Sequence, residues 1–306
     1  MTTPLTTRRG FLAVSCGIAL LRSRLLWAAA PTEPSGTIAF VRGNTLSSAD
    51  RKIWLINPDG SGLRPLTDSG DSAGEDSPAW SPDGQSIAFS VRKRIAVTGA
   101  SGKEVSRLTD ASMEAHDPCW SPDGKDIAFY VQDQKLKSSQ IYVMRADGSD
   151  VKQITEGAGY NWSPSWSFDG KHIVFESTRD GNREIYSMSP DGSDVKNLTN
   201  HKSTDHSPAC SPVNMQIAFL SGQDFGNAEV CVMNNDGTQL KNLTNHPARD
   251  SEPAWSPDGK WLAFTRFDLT LEKSPMDIYV MTAGGTQVTK VTRSEGPLHN
   301  WAPSWH

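Results

Sequence analysis

One recurring string leaves this chain little freedom in how it can fold. Pro-x-Trp-Ser-Pro-Asp-Gly stands at residues 78–84, 118–124 and 253–259, with Pro164-Ser-Trp-Ser-Phe-Asp-Gly170 and the degenerate Pro208-Ala-Cys-Ser-Pro-Val-Asn214 between them, and a shortened Pro303-Ser-Trp305 near the last residue. Each full copy is followed by an Ile-Ala-Phe-like run, at residues 87–89, 127–129, 173–175, 217–219 and 262–264, and a sixth such run lies at 38–40. Ile-Tyr-Val-Met-like runs come next, at 53–56, 94–97, 141–144, 185–188, 230–233 and 278–281. Leu-Thr-like pairs close every unit, at 66–67, 108–109, 154–155, 198–199, 243–244 and 291–292.

Short β-branched and aromatic runs divided by turn residues read as strands. Four strands per unit, at a period of roughly 40–50 residues, is the arithmetic of a β-propeller blade. The Ser-Pro-Asp-Gly strings serve as tight turns between first and second strands: proline presets φ, aspartate bonds its own backbone, and glycine accepts positive φ. The first unit lacks its leading Pro-x-Trp strand, and residues 302–305 supply one. The fold expected is therefore all-β: a six-bladed β-propeller of four-stranded antiparallel blades, closed by the C-terminal strand. Closure pairs the sheet edges that an open array would expose. A chain of 306 residues could hold one large domain or two ordinary ones; the repeat decides for one.

Before the repeat, Thr7-Arg8-Arg9-Gly10-Phe11-Leu12 leads into an apolar run and then Ala28-Ala29-Ala30. A charged start, a short apolar stretch and small residues form an export signal, and the paired arginines resemble the twin-arginine type. Residues 1–30 are expected to be that signal and 31–306 the propeller, with a destination in the periplasm or outside the cell. The apolar run is too short to span a bilayer, so no transmembrane span is expected after cleavage. The formal charge of -5 includes Arg8, Arg9, Arg22 and Arg24, with no acids among them, so the remainder carries 26 basic against 35 acidic residues. That balance argues against nucleic acid and anionic membrane surfaces, which need a basic footprint. Cys119, Cys210 and Cys231 have spacings that match no disulfide or zinc framework, and free thiols are expected.

The repeated Pro-x-Trp-Ser-Pro-Asp-Gly, Ile-Ala-Phe, Ile-Tyr-Val-Met, Asp-Gly and Leu-Thr elements resemble the propeller repeats of TolB-like proteins. The resemblance spans residues 36–305 and concerns the propeller only, without the α/β domain that precedes it in TolB itself. It implies a scaffold that binds a protein or peptide. Oligogalacturonate lyases also use TolB-like blades, with histidines and a metal at the channel mouth, so a carbohydrate-active enzyme acting on an oligosaccharide is the alternative that the resemblance implies. Those enzymes have seven blades and this chain has six.

The connections on one face of such a propeller are the stereotyped Pro-Asp-Gly and Asp-Gly turns. Those on the other vary in length and are where binding residues usually lie. Just before each Pro-x-Trp stand Glu75-Asp76, His116-Asp117, Asn161-Trp162, Asp205-His206, Asp250-Ser251-Glu252 and His299-Asn300-Trp301. These segments enter the innermost strands at the mouth of the central channel. Glu75, Asp76, His116, Trp162, Asp205, His206, Asp250, His299 and Trp301 are the candidate ligand-binding residues. Imidazole and carboxylate suit a divalent metal, with His116, Asp205 and His206 the first choices, and indole faces suit sugar rings or a peptide. The same side chains also suit a purely structural task, satisfying backbone groups at the strand entrances, and both readings stay open here. No phosphate-binding glycine loop is present, and the residues favour an extracytoplasmic binding scaffold over an enzyme, with no certain cofactor and the enzyme question left open. The recurring Trp80, Trp120, Trp166, Trp255 and Trp305 are expected to pack between blades.

Overall fold

The structure is a computed structural model that describes Met1 and residues 33–44, 47–67, 74–157, 159–222, 227–267 and 275–306. The chain divides into Met1–Thr32 and Glu33–His306. The expected export signal falls in the first unit and lies outside the described residues.

The described residues of the second unit form six four-stranded antiparallel sheets. Glu75–Trp80, Ala115–Trp120, Asn161–Trp166, Asp205–Cys210 and Arg249–Trp255 are the innermost strands of blades 2 to 6. Blade 1 takes its innermost strand from the other end of the chain: Leu298–Trp305 pairs with Ile38–Asn44, with Trp305 opposite Ile38 and Leu298 opposite Asn44. The overlap is longer than residues 302–305 alone. Beyond it, the His306 amide donates to the Thr37 carbonyl at 2.9 Å, and the His306 carbonyl accepts the Thr37 amide in return. The His306 ring then reaches blade 2, 5.7 Å from the Trp80 ring, where a Cβ on Gly84 would fall 2.2 Å from it. Gly84, at φ 67°, serves both the turn and this close approach.

The repeated residues each have a place in this plan. Phe40, Phe89, Phe129, Phe175, Phe219 and Phe264 are fully buried on the second strands. In the Ser-Pro-Asp-Gly turn of blade 2, Ser81 Oγ donates to Asp83 Oδ1 at 2.6 Å while the Gly84 amide returns to the Ser81 carbonyl at 2.9 Å. Ser121, Ser167 and Ser256 make the same bond to Asp123, Asp169 and Asp258. The Leu-Thr pairs end each blade with a hydroxyl that accepts the amide of the third strand, as Thr109 does from Ile95 at 2.9 Å and Thr155 from Ile141 at 2.8 Å.

Each seam between blades holds one apolar cluster, and the repeated tryptophans lie there as expected. Trp80 packs with Ala39, Trp120 with Ala88, Trp166 with Ala128, Trp255 with Ala218 and Trp305 with Ala263. Blade 5 breaks the rule twice at once: Cys210 replaces tryptophan, and the residue facing it from blade 4 is Val174, where every other blade has alanine. The sequence alone suggests a weak seam here, since trading indole for a thiol removes core volume. Two added methyl groups on Val174, 1% exposed, return part of that volume.

This pairing predicts a coupled mutant cycle. Cys210→Trp alone should overpack against Val174, and Val174→Ala alone should leave a void, each costing about 1–3 kcal/mol. The double change restores the pairing of the other five seams and should cost about 1–3 kcal/mol less than the sum. Urea unfolding of the four proteins checks this; additive costs would show that Val174 does not compensate for Cys210.

Candidate functional site

Every innermost strand carries the same irregularity. The register with the second strand slips between Asp76 and Ala79, His116 and Cys119, Trp162 and Ser165, His206 and Ala209, and Ser251 and Ala254. The residue before the proline, Ser77, Asp117, Ser163, Ser207, Glu252 or Ala302, has a φ of 46–53°. A non-glycine residue there is uncommon and costs energy, and a bulge of this kind re-aims a side chain. Six bulges at one level bring these residues and their prolines around a constriction of about 220 Å³ in the channel. Towards the turn face the channel opens into a second space of about 500 Å³, walled by the Trp-Ser-Pro segments, Phe168 and His306.

The constriction is polar and acidic. Asp117 accepts from Ser77 Oγ at 2.6 Å and Ser163 Oγ at 3.2 Å, so one carboxylate ties blades 2, 3 and 4. Glu252 accepts from Thr265 Oγ1 at 3.0 Å and the Ala302 amide at 2.9 Å, tying blade 6 to blade 1. Burial pushes the Glu252 carboxyl up to about 7, against the pull of the Ala302 amide and reinforced by Asp76. Burial also raises Asp76, with Asp117 adding to the shift and Arg51 opposing it.

A testable pH effect follows for Glu252. Its folded pKa lies above the ordinary 4.5, so the native state holds a proton more tightly than the unfolded chain between pH 4.5 and about 7. The stability tied to that proton is present at low pH and lost as pH rises through 7. Glu252→Gln keeps a carbonyl acceptor for Ala302 and Thr265. At pH 8 it should stabilise the protein by about 1–3 kcal/mol, one pKa unit being worth about 1.4 kcal/mol. The gain should vanish near pH 4.5, as read from melting curves across pH; a gain independent of pH would contradict the assignment.

Above the constriction, the candidate residues divide into two sets, because consecutive strand residues point to opposite sides. Asp76, His116, Trp162, His206 and Trp301 share one position on their strands, two before the proline, which strand alternation aims towards the channel; the Trp301 indole is nevertheless 8% exposed and packs in the apolar cluster between blades 1 and 2. His116 stacks on Tyr130, ring centroids 5.2 Å apart. His206 is held well below the ordinary imidazole value, at about 4, by burial and then by Arg183 and Arg249; burial also lowers His116. His299, just outside, accepts the Met276 amide on Nδ1 at 3.2 Å.

Glu75, Asp205 and Asp250 occupy the preceding position, and the structure does not place them on the channel wall. They are 2%, 0% and 0% exposed, turned into the seams. Glu75 accepts the Ile53 amide at 3.0 Å and the Thr67 hydroxyl of blade 1. Asp250 forms a bidentate pair with Arg266 at 2.6 and 2.8 Å. Burial pushes Asp205 up to about 6, opposed by the hydroxyls of Ser221 and Thr199. The metal candidates His116, Asp205 and His206 are therefore not brought together: Asp205 and His206 leave opposite sides of one strand, and His116 stands two blades away. Among the described residues no three His, Cys, Asp or Glu side chains converge to hold a metal ion.

The indoles are not free faces either. Trp162 is stacked on Tyr160 at 4.8 Å, and the Arg183 guanidinium lies over the same ring at 4.8 Å. Trp301 lies under Arg51 at 5.5 Å and donates to Asp76 at 3.3 Å. Arg51 and Arg183 are the site residues that sequence reasoning missed. They occupy one repeat position, two before the Ile of the third strand, and occur only in the two blades whose mouth residue is tryptophan. Their carbonyls accept the amides of Glu75 and Asp205, which fixes each arginine at the entrance of the next blade's innermost strand. That coincidence of Trp and Arg was readable as a signal.

The family model described as the TolB beta propeller domain matches residues 34–225 and 195–306 of the chain. None of the curated proteins compared with it matches. TolB from Acinetobacter baumannii is similar in structure, with a TM-score of 0.77 and 23% identity over 91% of this chain and 68% of that one. The putative TolB from Agrobacterium tumefaciens has a TM-score of 0.70 and 19% identity, covering 89% of this chain and 99% of its own. Oligogalacturonate lyase from Vibrio parahaemolyticus, with a TM-score of 0.59 and 12% identity, covers 83% and 78%. At these identities the likeness is one of fold.

Proposed function

Because this chain belongs to the TolB β-propeller domain family, we propose that it is an extracytoplasmic binding scaffold that takes a segment of a protein partner at the variable-loop mouth of its channel. One observation carries the reading. Along the innermost strands the proline recurs in all six blades and the tryptophan in five, whereas the mouth position holds Trp301, Asp76, His116, Trp162, His206 and Ser251. A scaffold that needed only to close its channel could repeat one polar residue there. Six rigid strands presenting four different kinds of side chain around one opening suit specific recognition. The twin-arginine start of the sequence supports a place outside the cytoplasm, and among the described residues no helix is long and apolar enough to cross a membrane.

The lyase-like alternative loses its main support, since its metal trio is not assembled and the indoles are covered by their own neighbours. The protein-binding reading is tested by replacing His116 and His206 together with alanine. Binding of a partner co-purified from the exporting cell should fall by more than tenfold, while the melting temperature stays within a few degrees. Matched changes at Ser149 and Ser193, beside the Asp147-Gly148 and Asp191-Gly192 turns of the other face, should leave binding intact. The reverse pattern would move the site to the turn face.

A further inference from the structure

The six-fold repeat lets one seam serve as a template for another. At the seam of blades 1 and 2, Arg51 lies over Trp301 and pairs with Asp76 at 2.9 Å. Three blades on, at the seam of blades 4 and 5, Arg183 takes the position of Arg51 and Trp162 that of Trp301. The residue in the place of Asp76 is His206. At neutral pH that imidazole is uncharged, because burial and two nearby guanidiniums hold it far below its ordinary value. The arginine here thus faces the channel mouth without the carboxylate that its counterpart has.

Arg183 is nevertheless well positioned. Glu176, 3% exposed, holds it from the inside at 3.1 Å, and Glu176 accepts the Ser207 amide at 3.4 Å in turn. The Arg183 side chain remains 48% exposed. Arg249, at the start of the blade 6 innermost strand, adds a second exposed guanidinium beside His206, set over Phe267 at 5.7 Å. A guanidinium fixed by an inner carboxylate and a stacked indole has lost little freedom still to lose on binding, and its outer edge suits a second, planar acceptor. On a chain of net charge -5, this is a cationic spot beside an acidic channel.

We propose that the seam of blades 4 and 5 receives a carboxylate side chain of the bound segment, in the place that Asp76 fills at the seam of blades 1 and 2, with Arg183 as its main partner and Arg249 as the second. The inference rests on the mouth being where a protein segment binds, and it adds that the segment is acidic at one point. Electrostatic pairing of this kind contributes mainly specificity and association rate, and salt weakens it.

The test uses a randomised dodecapeptide library selected on the folded protein, with selected peptides then measured by calorimetry at low and high salt. Peptides that bind at the mouth should be enriched in Asp or Glu. Their affinity should fall at least tenfold on Arg183→Gln and on His206→Asp, which supplies the missing carboxylate from within. His206→Asn, of the same size without the charge, should weaken them at least tenfold less than His206→Asp. Melting curves identify any variant that fails to fold, and Arg249→Gln, an exposed change, gives an independent reading with an expected loss of threefold or more. Mouth-binding peptides without acidic enrichment, or acidic peptides indifferent to His206→Asp, would overturn this inference and leave the protein-binding reading standing. A selection that yields no peptide sensitive to His116→Ala would overturn both.

Discussion

Removing residues 297–306 should leave a protein that does not reach the folded monomer. The deletion takes away the whole innermost strand of blade 1, including Trp301 and Trp305, which are 8% and 6% exposed. It also removes His306, whose ring rests on blade 2. Losing a buried tryptophan costs about 3–5 kcal/mol, and two cost about 6–10, which approaches the whole stability of a typical domain, about 5–15 kcal/mol. The ring would also open, presenting two unpaired sheet edges to other chains. Size-exclusion chromatography and circular dichroism of the truncated protein should show aggregates without a cooperative melt. Trp305→Ala is the milder companion, with an expected loss of about 3–5 kcal/mol and the monomer kept. A truncated protein that stays monomeric and melts like the full chain would mean that the ring is not closed by this strand.

The second large effect is expected at Asp250. From the sequence it belongs with the channel-mouth residues. In the structure it is fully buried, with Arg266 as its bidentate partner and that arginine lying 5.1 Å from the Phe264 ring. Asp250→Ala leaves a buried guanidinium without its counter-ion, which typically costs about 3–5 kcal/mol. Changing Arg266 to methionine as well removes the orphaned charge and keeps the apolar stem over Phe264. The double variant should regain most of the loss, since exchanging a buried pair for apolar groups is often close to neutral. Denaturant unfolding of the single and double variants measures both. If Asp250→Ala unfolds like the wild type while impairing partner binding, Asp250 belongs to the site and not to the seam.

Asp250 also shows where the sequence stopped being readable. Blade number, strand order and closure were legible because each rests on a residue type recurring at a fixed spacing: Pro and Trp on the first strand, Ile-Ala-Phe on the second, Asp-Gly at the turns, Leu-Thr at the end. The mouth was legible only to the level of a segment. Glu75 and Asp76 are neighbours in the chain, yet one is sealed in a seam and the other faces the channel, and strand alternation decides between them. The bulge before each proline then turns Asp117 and Glu252 into the constriction, against the usual avoidance of such backbone before proline. Nothing in the local sequence announces that turn except its six-fold recurrence. The exchange of Trp for Cys at position 210 read as a defect because its partner, Val174, lies 36 residues away on the blade before. Arg51 and Arg183 escaped notice for the same reason, each being recognisable only beside the tryptophan that closes or opens its blade.

The central claim is that a protein segment is bound at the variable-loop mouth. It is tested most directly by a photo-crosslinking amino acid placed in turn at Ser251, on the mouth, and at Ser193, on the opposite turn face, in cells that export the protein. The account predicts one discrete crosslinked partner from position 251, none from 193, and loss of the crosslink when His116 and His206 are both alanine. A partner captured from position 193 and not from 251 would contradict it.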